Sequence, residues 1–150
     1  MSSKQNIPMN LDSQYRMMWI LWSAFMSTIV IYFFLSVVLP GHEETANKLL
    51  TILFSATSAL LVVTSFAVKR SFLSRSVETQ QVRLVNTGFI LAAAFCETAA
   101  LLGLLDLLIA RDRYYFLLIA LAFVGLLLHF PRRSYLESAS YRQPGTMGLS

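Results

Sequence analysis

Four apolar blocks, each long enough to cross a membrane, constrain this chain more than any other feature of its sequence. They cover residues 17–39, 49–68, 84–109 and 114–130, separated by short polar or charged stretches. A hydrocarbon core of about 30 Å is crossed by about twenty helical residues. Inside lipid a backbone must satisfy its own hydrogen bonds, which leaves helices as the structure open to such blocks. The composition agrees: 56% of residues are hydrophobic and 13% charged, where soluble domains carry about 25% charge. The expected fold is an all-α membrane protein of four transmembrane helices. It comprises a polar lead (1–15), a membrane domain (16–134) and a flexible tail (135–150).

The boundaries carry their own signals. Pro40-Gly41 ends the first block, Lys69-Arg70 the second, and Pro131 with Arg132-Arg133 the fourth. The first fifteen residues lack the apolar core and cleavage site of a signal peptide, so the first helix is expected to be retained. Lys4, Arg16, Lys69, Arg70, Arg75, Arg83, Arg132, Arg133 and Arg142 fall on one side, against Lys48, Arg111 and Arg113 on the other. Basic residues favour the cytoplasmic face, which places both termini in the cytoplasm of a multi-pass inner-membrane protein. The net charge of +4 is then read as contact with membrane lipid, and not with nucleic acid.

Two segments repeat. Ile20–Thr28 (ILWSAFMST) aligns with Ile90–Thr98 (ILAAAFCET) at five identical positions of nine. Lys69-Arg70-Ser71-Phe72-Leu73 aligns with Arg132-Arg133-Ser134-Tyr135-Leu136, in the same order and on the same membrane side. The pattern reads as a duplicated helical hairpin. Ser27 then takes, in the first copy, the place of Glu97 in the second.

Glu97 stands near the centre of the third block, where an acidic side chain costs roughly 2.5–3.5 kcal/mol on insertion. Gly88, Ala92, Cys96, Ala100 and Gly103 recur every three or four residues beside it and form a stripe of small side chains suited to close helix packing. Glu97 falls at the flank of that stripe. Two readings stay open: a carboxylate that binds a proton or Na+, with Ser27, Thr98 and Ser58 as candidate neighbours, or a protonated group donating a structural hydrogen bond. Asp106 is read as an interface charge within reach of Arg111 or Arg113, and His129 as an interfacial residue. The single cysteine, Cys96, excludes an internal disulfide and any multi-cysteine metal site. No phosphate-binding loop, zinc spacing or nucleophile–base pair is present, so no enzyme activity, cofactor or metal is expected.

The run Ala94–Leu105 (AFCETAALLGLL) resembles the carboxylate helix of the rotary ATPase proteolipids, the c-type subunits of membrane rings. The chain is also similar to small four-span bacterial membrane proteins. The larger proteolipids are four-helix duplicated hairpins, some with the carboxylate lost from one copy. The resemblance implies that Glu97 carries an ion, and that the chain works as a homo-oligomer or beside other membrane subunits. The chain differs from that family in placing Glu97 on the first helix of its pair, and in a first block rich in Trp and Phe. Without ion transport, the remaining role is an accessory or scaffolding subunit of a larger membrane complex.

Overall fold

The computed structural model of the chain describes residues 11–39, 47–111 and 113–140. The described residues are helical apart from short connections: α1 (Leu11–Val38), α2 (Lys48–Thr79), α3 (Val82–Leu105), a π-helical turn (Asp106–Ala110), α4 (Tyr115–Leu128) and α5 (Arg133–Ser140). Three are long and apolar enough to cross a membrane: α1, α2, and α3 with its π turn. The fourth, α4, has 14 residues and is nearly all aliphatic or aromatic.

Half of the apolar window of α3 is buried, against 11% for α1 and 17% for α2, so α3 is the central helix. It packs on α1, α2 and α4, whereas α1 and α2 hardly meet. The first two helices are therefore not a packed hairpin. They lie at the edges, with Ile20, Ile31, Phe34 and Val37 of α1 and Ile52, Leu60 and Val63 of α2 exposed, as suits helices whose outer surface faces lipid.

One end is closed by Asn47. Its side chain caps α2 by accepting from the Leu50 N–H at 3.3 Å, and its own N–H donates to the Ala110 carbonyl at 3.0 Å. At the other end Arg133 pairs with Asp12 at 2.8 Å and Asn86 bonds Gln14, which ties α5 and α3 to the start of α1.

Several boundaries differ from the sequence reading. The second helix does not stop at Lys69-Arg70 but continues to Thr79, leaving Gln80 and Gln81 as the connection to α3. Lys and Arg end a hydrophobic count without ending a helix, since both are good helix formers. Its 32 residues span about 48 Å, well beyond a hydrocarbon core of about 30 Å. Gly88 lets this extension come close: a Cβ there would stand 2.5 Å from Cβ of Phe72. Residues 11–15 of the expected polar lead belong to α1, and residues 135–140 of the expected tail belong to α5. Leu136 of α5 is buried with Met18, Val82, Val85 and Phe89 in a small core at this end. The first ten and last ten residues, residues 40–46 (with the expected Pro40-Gly41 stop) and Asp112 lie outside the described part.

Candidate functional site

The site is built on α3. Gly88, Ala92, Cys96, Ala100 and Gly103 are all buried, together with Ala93 and Ala99. A Cβ on Gly103 would meet Ile119 Cγ1 of α4 at 2.9 Å, and one on Gly125 of α4 would meet Cys96 Sγ and Val62 Cγ1, each at 3.2 Å. The stripe is therefore a seam that brings α3 against α2 and α4 at near backbone distance, as small residues permit.

Glu97 is turned away from that seam. It is half-buried and lies within electrostatic range of the half-buried Tyr32 phenol of α1. No hydrogen bond or ion pair joins its carboxyl group to a described residue. The other candidate ligands are directed elsewhere. Ser27 is exposed and donates back to the Ser23 carbonyl at 2.8 Å. Thr98 is exposed and donates to the Ala94 carbonyl at 2.9 Å. Ser58 is buried, and its hydroxyl crosses from α2 to the Ala99 carbonyl of α3 at 3.3 Å. Ser58 is thus a clasp between two helices. These oxygens do not converge on Glu97, and a hard cation needs several convergent oxygen ligands. A proton needs one.

The sequence reading did not find the second polar cluster. Cys96, Ser65 and His129 are each fully buried. The Ser65 hydroxyl donates to the Val62 carbonyl at 2.6 Å, so its oxygen is left to accept. His129 Nε2 lies 3.0 Å from it and Cys96 Sγ lies 3.6 Å from it. The Ser65 oxygen therefore accepts from Nε2–H of His129. The Phe66 ring meets the imidazole edge-on at 4.5 Å. At the same end of α4, the Trp22 indole of α1 donates to the Leu126 carbonyl at 3.2 Å and meets Phe130 edge-on. His129 is thus enclosed in the protein at the end of α4, with Ser65 and Phe66 of α2 against it. The one signal available was a histidine in an apolar run, but its partners depend on the α2–α4 register.

Asp106 opens the π turn and is 1% exposed. Nine residues and two and a half helical turns on from Glu97, it lies on the opposite, packed flank, where the start of α2 meets the π segment.

No family model, curated protein or solved structure matches the chain. The functional reading therefore rests on the residues and their geometry.

Proposed function

We propose that this chain is a small membrane-embedded subunit in which Glu97 takes up and releases a proton, working as a homo-oligomer or with other membrane subunits. The observation that carries the reading is the position of Glu97. It sits midway along the central helix, half-buried at the α1–α3 seam, with a phenol nearby and no hydrogen bond to the described chain. A carboxyl group at that depth is costly unless neutralised, and protonation is the simplest way to neutralise it. The local likeness to proteolipid carboxylate helices points the same way. Na+ is less well supported, because Ser27, Thr98 and Ser58 bond elsewhere.

The proposed topology has four spans with both termini in the cytoplasm of a cell's inner membrane. It draws on the nine-to-three distribution of Lys and Arg and on the antiparallel order of the helices. A duplicated origin is supported by the two aligned segments, though the halves pack differently now.

Proteoliposomes carrying a pH-sensitive dye test the proposal. Wild-type protein, with its partner subunits if it has them, is expected to pass protons, and Glu97→Gln to abolish the flux. Full flux in the glutamine variant would overturn the assignment.

The second reading is an accessory or scaffolding subunit in which a protonated Glu97 donates a structural hydrogen bond to a neighbouring subunit. The tight α3 seam favours it, since that face is wholly given to packing. It predicts intact assembly in Glu97→Gln, whose amide still donates, with no flux in either protein.

A further inference from the structure

The aligned pentapeptides Lys69–Leu73 and Arg132–Leu136 meet in space. Leu73 and Tyr135 pack against the same small core that buries Leu136. The Lys69 ammonium stands 5.2 Å from the centre of the Tyr135 ring, a cation–π distance. Arg132 lies within electrostatic range of Lys69. The Tyr135 N–H donates to the Arg132 carbonyl at 3.2 Å, which holds Arg132 and Tyr135 on one turn at the start of α5.

Two cations are thus kept together, and no described residue supplies an anion between them. The nearby carboxylates are engaged by a third cation: Arg133 pairs with Asp12 at 2.8 Å and with Glu137 at 3.2 Å. No ion pair joins Lys69 or Arg132 to a described carboxylate. Glu78 lies nine residues beyond Lys69 on α2, about 13.5 Å along the axis. Residues 1–10 and 141–150 contain neither Asp nor Glu. Like charges held this close repel unless an anion comes between them.

The pair sits where the apolar part of α2 ends and just beyond α4, the level at which headgroups lie at a membrane surface. We propose that Lys69 and Arg132 form a binding site for the phosphate of an anionic phospholipid, with the Tyr135 ring positioning the Lys69 ammonium. A phosphodiester brings the missing negative charge, and its acyl chains extend along the exposed apolar surface.

Native mass spectrometry of the full chain in a neutral detergent tests this, with phosphatidylglycerol and phosphatidylcholine as probes. The wild type is expected to retain phosphatidylglycerol in preference to phosphatidylcholine. The double variant Lys69→Gln/Arg132→Gln is expected to retain it on the order of ten-fold more weakly. Arg113→Gln, at the opposite end, serves as the control that keeps wild-type retention. The charge-preserving pair Lys69→Arg/Arg132→Lys is expected to keep the lipid, which decides the matter should the glutamine variant unfold. Equal retention by the glutamine and wild-type proteins, or loss of lipid from a folded charge-preserving pair, would overturn the proposal. So would equal binding of phosphatidylcholine. Displacement of the lipid by the same excess of inorganic phosphate would assign the site to a free anion and overturn the lipid assignment.

Discussion

His129 of the α4 terminus and Ser65 of α2 are joined by a hydrogen bond of 3.0 Å between two side chains with no solvent exposure. The Ser65 hydrogen is committed to Val62 O, so His129 Nε2 donates to the Ser65 oxygen. His129→Ala removes this donor and leaves a cavity beside Phe66. The expected loss is about 1–3 kcal/mol, with Ser65→Ala costing a similar amount because it strands the buried His129 N–H. Thermal unfolding in mild detergent measures both; equal stability of His129→Ala and wild type would refute the assignment.

Gly103 and Ile119 define the closest approach of α3 and α4, with 2.9 Å from a Cβ at Gly103 to Ile119 Cγ1. Gly103→Leu is expected to destabilise the chain by about 1–3 kcal/mol through overpacking. Ile119→Ala in the same chain should return part of that loss, although the Ile119 amide nitrogen at 3.1 Å still limits the space. A double-mutant cycle on melting temperature reads the coupling. Simple additivity would mean that the two residues do not meet.

Gln80 closes the tight connection between α2 and α3 with a φ of 53°, a left-handed conformation that glycine adopts without penalty. Gln80→Gly is expected to raise stability, by about 1 kcal/mol at most, because relief of strain is offset by greater freedom in the unfolded chain. A lower melting temperature would show that the Gln80 side chain, which donates to the Val77 carbonyl at 2.8 Å, matters more than its backbone.

These residues show what the sequence made legible. Apolar length and composition are properties of single segments, so the helical character and the candidate spans could be read directly. The small stripe was legible too, because helical periodicity alone puts Gly88 and Gly103 on one face. Properties of pairs of segments were hidden. Nothing in the charged run after Val68 says that it continues α2 instead of forming a loop, and that extension is what carries Phe72 against Gly88 and Leu73 onto the core around Leu136. The burial of Asp106 depends on α2 starting beside the π turn. Ser27 and Glu97 align in the repeat, yet Ser27 faces outward on α1 while Glu97 lies at a seam, because α1 packs on α3 and α4 and not on α2.

Proton exchange at Glu97 within the membrane, as proposed above, has a direct chemical test. Carbodiimides react with protonated carboxyl groups in apolar surroundings, so labelling can be followed by peptide mass spectrometry on intact membranes across a range of pH. Modification at Glu97 is expected to fall as pH rises and the carboxyl group releases its proton, with no label at that position in Glu97→Gln. Labelling of Glu97 that is absent, or that stays constant over the whole range, would contradict it.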